Sequence, residues 1–506
     1  MLPPLLAILS WPLVGLVLFH RLERRLAILV TLVAGFLLLP ENTVLDLPAL
    51  PALDKHSVAA LTVLLGLWVT SGRTGTGEGL AGLLPKSRLV LVLLAAAVVG
   101  AFMTVVTNGD TLVYGPTVLR GLRLYDAFST VLSTVMMLLP FLIARKYLSG
   151  PDSHILILKV FCIAGLAYSF PALYEIRMSP QLNNIVYGFF PHSWIQHLRG
   201  SGFRPLVFLQ HGLWLAIFFS FTIVAAVGLS RITKARRGLY LIAAVWLLGT
   251  LVLSNSLGAL MITLALVPVI LLLNIRLQFL IAAAIAGLIL LYPVARGSGV
   301  IPLDWIEQMA AQIDADRAGS FRFRLENEDI LMSKAKERPL FGWGGWGRSR
   351  VFDESGRDIS ITDGYWVIII GVGGWVRYIA IFGLLALPMI IMFFNKTRYR
   401  IGPESAMLAL ILAANLVDLI PNSSAGPLSW IFAGALWGRL ELSRRVGDDV
   451  TEDISQKESL PRGSPGYRRQ PVADTIPTNQ PEPEETIKSP YSRQKERITR
   501  TRPKSD

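Results

Sequence analysis

The chain has 506 residues, of which 53% are hydrophobic and 16% are charged. Soluble domains are typically about 45–50% apolar and about 25% charged, so this composition indicates a membrane protein and excludes a soluble globular enzyme. The formal net charge is +13, and the basic excess follows connecting loops rather than one face, which indicates membrane topology instead of nucleic-acid binding.

The apolar residues fall into blocks close to the ~20 residues that a helix needs to cross a bilayer. They predict an all-α, polytopic membrane helical bundle of about thirteen spans, with residues 1–440 as the transmembrane domain. The predicted spans are 2–19, 26–39, 57–71, 89–106, 127–144, 154–173, 206–229, 239–253, 257–273, 278–295, 378–394, 406–420 and 428–440.

Alternate loops differ in basic content, and this difference predicts the orientation of the chain. One set contains clusters such as 21–25 and 231–237, whereas the short loops of the other set contain isolated residues such as Lys55 and Arg120. By the positive-inside rule the first set is cytoplasmic, so the N-terminus is expected outside and the C-terminus in the cytoplasm. The first basic cluster follows the first apolar block, which favours a retained helix over a cleaved signal peptide.

Two segments on the predicted outer side are too long to be simple connections. Residues 174–205 carry arginines and histidines among aromatic side chains. Residues 296–364 contain many charges of both signs together with tryptophans, which predicts a periplasmic loop subdomain rather than disorder. Within this loop the pattern predicts one helix at 305–311, capped by Asp304, and a second at 324–337 that ends before Pro339.

Residues 441–506 are predicted to be a disordered cytoplasmic tail. This segment is rich in proline and poor in aromatic residues, so it cannot bury enough apolar surface to offset its chain entropy. Its alternating charge clusters suit anionic lipid or a partner in polysaccharide export or chain-length control. A solvated tail with no specific role is an equally consistent interpretation.

Common catalytic signatures are absent from the sequence. It contains no P-loop, no H-E-x-x-H, no G-x-S-x-G and no Cys/His cluster, so NTP hydrolysis, zinc hydrolysis and serine-elbow chemistry have no support. Asp314 and Asp316 are close enough in sequence to bind a divalent cation together. Because no further oxygen ligands are indicated, we predict neither a metal site nor a cofactor.

Arginines at the predicted outer boundary are the main candidates for ligand binding. They lie in the two long segments and are Arg199, Arg204, Arg322 and Arg324. A guanidinium group binds phosphate bidentately and does not lose its proton, so converging arginines would hold a lipid-linked diphosphate. Pairing with nearby acidic residues or with lipid phosphates is the alternative interpretation.

Three further ionisable residues lie within or beside predicted spans. His211 is expected about five residues inside the seventh span, where it is either a functional group or a neutral histidine bonded to a neighbouring helix. Asp363 is either a general base or the cap of a helix that begins at Tyr365. Arg377 interrupts the apolar stretch 365–394, which indicates a re-entrant segment or a polar cavity beside a site.

Two stretches of the sequence carry a resemblance to a known family. Arg324-Leu-Glu-Asn-Glu, followed by Lys336-Glu-Arg-Pro339-Leu-Phe-Gly-Trp-Gly344, is similar to a loop pattern of an arginine, a helix, Pro-Leu-x-Gly-x-Gly and a return into the membrane. Ser254-Asn-Ser-Leu-Gly is similar to a short turn between two spans. Together with the topology of about residues 20–440, they resemble the O-antigen ligase and polysaccharide polymerase family, in particular its exopolysaccharide polymerases.

The sequence departs from this family pattern at three places. Leu257 replaces the arginine of a common Ser-Arg-Gly, Glu328 stands where tryptophan is common, and Thr362-Asp363 stands where His-Asn is usual. The last departure implies that the chain either uses Asp363 in place of the histidine or is not a ligase.

The resemblance implies a C-type glycosyltransferase of the bacterial inner membrane, with a helical periplasmic loop over a membrane cavity. Its donor would be a polyprenyl-diphosphate-linked oligosaccharide and its acceptor a glycan, and it would join repeat units into an exopolysaccharide or O-antigen without nucleotide or metal. The roles implied are Arg324 and Arg204 for holding the diphosphate, Arg199 and Arg322 for assisting, and Asp363 or His211 for orienting or deprotonating the acceptor.

Three alternatives remain open from the sequence. The chain could be an O-antigen ligase that transfers glycan to lipid A core, a flippase for lipid-linked glycan, or a non-catalytic scaffold of an export complex. A flippase is disfavoured because the sequence shows no internal repeat and carries a long outer loop.

Overall fold

The computed structural model describes residues 1–46, 52–71, 79–199, 202–298, 315–395 and 401–459. For residues 199, 315–318, 320–321 and 445–459 it describes the backbone alone. The predicted helix at 305–311, its cap Asp304 and Asp314 lie outside the described residues.

The protein is built almost wholly from α-helices, which make up 72% of the residues that the structure describes. In chain order they are α1 (Pro4–Arg21), α2 (Arg24–Leu38), α3 (Lys55–Val69), α4 (Arg88–Val106), α5 (Leu124–Tyr147), α6 (Pro151–Met178), α7 (Leu182–Tyr187), α8 (Gly212–Ile232), α9 (Arg237–Leu253), α10 (Leu257–Leu272), α11 (Ile275–Gly297), α12 (Ala315–Lys336), α13 (Tyr365–Asn395), α14 (Pro403–Asp418) and α15 (Pro427–Ser459). The predicted all-α fold is therefore confirmed.

Eight helices within the described residues are long and apolar enough to cross a membrane. The chain is thus a multi-pass membrane protein. Each of the thirteen predicted spans lies on one of the helices, but α2 has 15 residues and α14 has 16. Because ~20 residues are needed for a straight crossing, the number of spans remains a prediction.

Local sequence signals explain where several helices begin. Asp54 caps α3, where its carboxylate accepts hydrogen bonds from the backbone N–H groups of His56 and Ser57. Asn274 caps α11 by accepting from the N–H of Leu277. Such caps satisfy N–H groups that have no partner within the helix.

Helix α8 occupies the centre of the bundle, and 89% of its most apolar stretch is buried. It packs against α6, α9, α10 and α14. A second set of neighbours is formed by α11, α13, α4 and α5, which pack in that order. Burial on all sides explains why α8 is apolar around its whole circumference.

Long connections gather at one end of the bundle, which we call the loop end. Its described residues are 39–46, 107–123, 179–199, 202–211, 254–256, 337–364 and 419–426. Backbone and side-chain contacts join these segments, including Asn42 Nδ2 to Pro191 O at 2.6 Å and Tyr365 N to Leu419 O at 3.0 Å. Shorter connections, including 148–150 and 233–236, form the opposite end.

Two short antiparallel ribbons, which the sequence did not predict, also lie at the loop end. Strand β1 (Leu112–Tyr114) pairs with β2 (Thr117–Leu119), and β3 (Leu198–Arg199) pairs with β4 (Gly202–Phe203). Gly115 turns the first ribbon with φ +52°, and a Cβ there would lie 2.5 Å from the carbonyl oxygen of Glu354. The ribbon therefore packs closely against the loop that follows α12.

The glycine-rich stretch after Pro339 docks onto a kink in α13. The kink lies at Gly374, where φ is 67° and ψ is −171°. The carbonyls of Gly371 and Val372 accept from the N–H groups of Trp343 and Gly344, both at 2.9 Å, because the kink removes their helical partners. This stretch, predicted as a ligand-approach segment or an interfacial turn, thus packs backbone to backbone on α13.

An arginine pair anchors the same stretch to the connection between α4 and β1. Arg338 forms a bidentate ion pair with Asp110, with nitrogen–oxygen distances of 3.0 and 2.6 Å. Arg348 donates to the Asp110 backbone carbonyl at 3.0 Å and to its carboxylate at 3.2 Å. The hydrogen bonds from Arg338 hold the pKa of Asp110 below its usual value, so this contact stays charged at neutral pH.

Helix α15 extends beyond residue 441, from which the tail is predicted to begin. The tail was expected from residue 441, whereas α15 ends at Ser459. Residues 441–459 contain no proline, and the prolines of the tail begin at Pro461, so nothing in this stretch removes helical hydrogen bonds. Residues 460–506 lie outside the described residues.

Candidate functional site

Arg324 projects from α12 toward the point where the chain enters α13. Its Nε lies 3.5 Å from Asp363 Oδ2, and its Nη1 donates to the carbonyl of Pro421 at 3.2 Å. The two side chains are 32% and 39% exposed. They line a cavity of about 50 Å³, together with residues of α11, α12, α13 and the connection between α14 and α15. The cavity therefore sits where four elements converge.

Asp363 pairs with Arg324, a role that differs from the general base and the helix cap expected from the sequence. The N–H of Tyr365 donates to the carbonyls of Leu419 at 3.0 Å and Asn422 at 3.1 Å. The connection after α14 thus accepts the hydrogen bonds of the first N–H group of α13. The Asp363 carboxylate is therefore available to Arg324.

Glu328 lines the same cavity and was not among the predicted site residues. It is 7% exposed and accepts from Trp366 Nε1 at 3.3 Å and from the Tyr292 hydroxyl at 3.5 Å. Arg296 Nε lies 3.7 Å from its Oε2. Burial raises the pKa of Glu328 to about 7, despite these donors. Its spacing of four residues from Arg324 on one helix face was the signal that could have identified it.

Arg204 is buried and ties the connection before α8 to the turn between α9 and α10. Its Nη2 donates to the carbonyl of Asn255 at 3.0 Å. Asn255 has φ +53°, which an asparagine tolerates better than most residues. Gly212 allows the close approach, because a Cβ there would lie 2.4 Å from Arg204 Cγ.

His211 caps α8 and does not lie inside the span as expected. Its Nδ1 accepts from the N–H of Leu213 at 3.0 Å. The helix begins after residues 206–207 because Glu175 of α6 accepts the N–H groups of Leu206 and Val207, at 2.9 and 2.7 Å. That contact holds the preceding segment in a non-helical conformation.

His211 belongs to a cluster with two other histidines. Its ring centroid lies 4.9 Å from that of His192 and 5.0 Å from that of His197. No group of three or more His, Cys, Asp or Glu side chains in the described part of the chain is arranged to bind a metal ion. The three rings lie close together around the cap of α8.

Arg324 is the one of the four candidate arginines that lines the cavity among the described side chains, and Arg204 is not part of that lining. Arg322 is on the exposed side of α12, where its Nε lies 3.1 Å from Glu326 Oε1 and its side chain is 64% exposed. Arg199 lies on β3, and the structure describes only its backbone. The structure thus brings Arg324 together with Asp363, and Arg204 together with the turn at Asn255.

Comparison with known proteins identifies a family that part of the chain resembles. Residues 242–368 match the family described as O-antigen ligase. The matched stretch includes the turn at Asn255, all of α12, Asp363 and the beginning of α13, whereas Arg204 and His211 precede it. The resemblance expected from the sequence is confirmed. No curated protein matches the chain.

Proposed function

Because residues 242–368 match the O-antigen ligase family, we propose that the chain is a membrane glycosyltransferase acting on polyprenyl-diphosphate-linked glycan. In this proposal it joins repeat units into an exopolysaccharide or O-antigen on the periplasmic side of the bacterial inner membrane. The N-terminus then lies in the periplasm and the C-terminus in the cytoplasm, as the positive-inside rule predicts.

The observation that supports this function best is the state of Arg324. Its guanidinium lies 3.5 Å from its carboxylate partner and is 32% exposed, within the matched stretch and at a cavity wall. An ion pair at this distance is weaker than a charge-assisted hydrogen bond of about 2.7–2.9 Å, so a diphosphate competes for it readily. Arginine suits this ligand because its planar group binds two phosphate oxygens at once.

The chemistry assigned to the site is displacement at the anomeric carbon of the donor sugar. An acceptor hydroxyl attacks this carbon, and the bond to the diphosphate oxygen breaks. Positive groups near the leaving diphosphate stabilise the charge that develops on it. Arg324 supplies such a group in this proposal, with Arg204 as a second ligand, and Asp363 orients the Arg324 guanidinium.

The acceptor was predicted to be activated by Asp363 or His211. His211 uses Nδ1 to cap α8, and Asp363 is paired with Arg324. In our proposal Asp363 therefore acts through Arg324, and His211 shapes the start of α8 beside Arg204.

Arg324→Ala and Arg204→Ala test this function in cells. We expect either change to abolish polymer while lipid-linked repeat units accumulate on the outer face, because removing one such donor typically costs about 10²–10³ in rate. Arg350→Ala is the matched control, since Arg350 lies in the same loop but pairs with Asp358 at 2.6 Å. Repeat units trapped on the inner face would indicate a flippase, and normal polymer from both variants would refute the assigned roles.

A deletion strain distinguishes polymerase from ligase. We expect single lipid-linked repeat units to accumulate, because a missing polymerase leaves its donor unjoined. Accumulation of preassembled long chains on the lipid carrier would instead indicate a ligase that transfers glycan to lipid A core. Size analysis of the extracted lipid-linked glycans measures the difference.

A further inference from the structure

A second cavity lies at the loop end and is not used by the groups assigned so far. Its volume is about 240 Å³. Its walls come from the start of α3, the middle of α5, Tyr365 at the start of α13, and residues 425–430. It is thus much larger than the cavity beside Arg324, whose volume is about 50 Å³.

The two cavities are lined by neighbouring residues of the same two segments, although no residue lines both. Asp363 and Gly364 line the smaller cavity, and the next residue, Tyr365, lines the larger one. The connection after α14 likewise contributes Pro421 to the smaller cavity and Ala425 to the larger one. The Tyr365 N–H bonds this connection through the carbonyls of residues 419 and 422. Both cavities therefore adjoin the start of α13 and the connection after α14.

The lining of the larger cavity differs in charge from that of the smaller one. No lysine or arginine lines it within the described residues. Lys55, at the same helix start, is directed elsewhere, because its Nζ lies 2.7 Å from Glu41 Oε1 and donates to backbone carbonyls. The polar side chains that remain belong to Asp54, His56, Ser57, Ser133 and Tyr365. This lining does not suit a phosphate, but it suits a neutral polar molecule.

Aromatic and apolar groups complete the lining. Tyr365 and Trp430 contribute rings, and Met136 and Met137 contribute aliphatic surface. Sites for small polar ligands typically combine such surfaces with a few placed hydrogen-bonding groups. A sugar ring has an apolar face and a rim of hydroxyl groups, so it matches this mixed surface.

His56 is the group in this cavity that is suited to proton transfer. Its ring stacks on Phe36, with centroids 5.9 Å apart and an interplanar angle of 29°, and Phe36 stacks in turn on Trp214. These contacts hold the imidazole in place. Its Nδ1 is buried and has no hydrogen-bond partner among the described residues. A buried polar atom without a partner calls for an explanation, and a ligand that completes the site is one.

We propose that the larger cavity is the acceptor-sugar subsite of the transferase, and that His56 accepts the proton of the attacking hydroxyl. This inference rests on the proposed function, because it takes the smaller cavity with Arg324 as the donor diphosphate site. The acceptor is a neutral sugar at the end of a glycan. Because residues 363–364 line the smaller cavity and Tyr365 lines the larger one, the acceptor hydroxyl approaches the anomeric carbon of the donor across the start of α13 in this proposal.

The transfer step balances as follows in this arrangement. The acceptor O–H bond breaks and its proton passes to the neutral imidazole of His56, while the oxygen forms the new bond to the anomeric carbon. The bond from that carbon to the diphosphate oxygen breaks, and its electron pair leaves with the polyprenyl diphosphate beside Arg324. The imidazolium then releases its proton to water.

Single-cysteine protection tests the location of the two ligands. Cys162 is the one cysteine of the chain, so Cys162→Ala provides a background for Ser133→Cys in the larger cavity and Ile361→Cys in the smaller one. The probes are the host's repeat-unit oligosaccharide, released from its lipid by mild acid, and polyprenyl diphosphate alone. At about ten times its Kd, the oligosaccharide should slow maleimide labelling of Ser133→Cys about tenfold and leave Ile361→Cys unchanged.

The same experiment tests the proposed function and the acceptor subsite separately. Polyprenyl diphosphate should protect Ile361→Cys and not Ser133→Cys, and protection of neither position by this probe would contradict the proposed function. If the diphosphate protects Ile361→Cys but the oligosaccharide fails to protect Ser133→Cys, the acceptor subsite is wrong while the proposed function stands.

The proton-transfer role of His56 is tested with His56→Gln and His56→Ala in vesicles that contain lipid-linked glycan. Loss of a general base typically lowers the rate about 10²–10⁴-fold, so transfer should fall at least about 10²-fold in both variants while polyprenyl diphosphate still protects Ile361→Cys. His20→Ala is the matched control, because His20 lies near the end of α1, at the end of the bundle opposite to His56. Wild-type transfer by His56→Gln would overturn the role.

Discussion

Two arginines show how differently a guanidinium is held at the two ends of the bundle. Arg145, near the end of α5, is fully buried, and its Nε and Nη2 donate to the two carboxylate oxygens of Glu441 at 2.8 and 2.6 Å. Its Nη1 donates to the carbonyls of Gly82 and Leu83. Arg324, in contrast, is 32% exposed, 3.5 Å from Asp363 and bonded to a single carbonyl.

The contrast teaches that hydrogen-bond saturation separates a structural arginine from a ligand-binding one. Every nitrogen of the Arg145 guanidinium donates to a protein group, so the side chain joins helices and has nothing left for a ligand. Arg324 keeps donors that its protein partners do not use. Sequence position alone does not reveal this difference, because the partners of both arginines are distant in sequence.

The largest expected effect comes from Arg145→Ala. This change leaves the Glu441 carboxylate buried without its partner, which typically costs about 3–5 kcal/mol of stability. Arg324→Ala should cost less than about 1 kcal/mol, because its ion pair is partly exposed and long. Thermal unfolding in detergent measures both variants. Equal losses of stability would show that the contrast between the two arginines is wrong.

Glu328 provides an intermediate case, a buried carboxylate whose arginine lies 3.7 Å away. Its pKa in the folded protein is about 7, above the ordinary value of 4.5. As pH rises, the carboxyl group loses its proton in the unfolded chain at a lower pH than in the folded protein. The free energy of unfolding should therefore fall by roughly 1–3 kcal/mol between about pH 4.5 and pH 7.

Glu328→Gln checks the prediction for this carboxylate. The glutamine keeps the size of the side chain and does not ionise, so unfolding temperatures measured across pH 4.5–7 should become flatter than those of the wild type. An unchanged pH profile in Glu328→Gln would contradict the assignment of this pH dependence to Glu328.

The smallest expected effect belongs to Arg322→Ala. Arg322 and Glu326 form an i,i+4 pair whose side chains are 64% and 60% exposed. Such surface pairs contribute about 0.3–0.5 kcal/mol, so unfolding should change within about 0.5 kcal/mol and polymer yield should stay near the wild-type level. A loss of polymer comparable to that of Arg324→Ala would restore Arg322 as a diphosphate ligand.

Much of the fold followed from local sequence. The predicted spans lie on helices, and the helix predicted at 324–337 lies within α12, which begins earlier, at Ala315. The start of α8 was wrong by several residues. Its position depends on Glu175 of α6, which binds the N–H groups of Leu206 and Val207, and no local pattern reveals a partner that distant.

The site was only partly predictable for the same reason. Arg324 and Asp363 were identified from composition and resemblance, and the structure places them side by side. Glu328 and His56 were missed because what marks them is their surroundings. Glu328 is defined by Trp366 and Tyr292, and His56 by Phe36 and a cavity between helices.

The sequence by itself determined that this is an all-α membrane protein with a resemblance to the O-antigen ligase family over part of its length. Hydropathy and loop charge are sums over neighbouring residues, so they can be read without coordinates. Only the tertiary structure decided which charged groups are saturated and which remain available, and that two cavities adjoin the start of α13. Those properties depend on where distant segments meet, and burial, pairing and cavity shape arise only at such meetings.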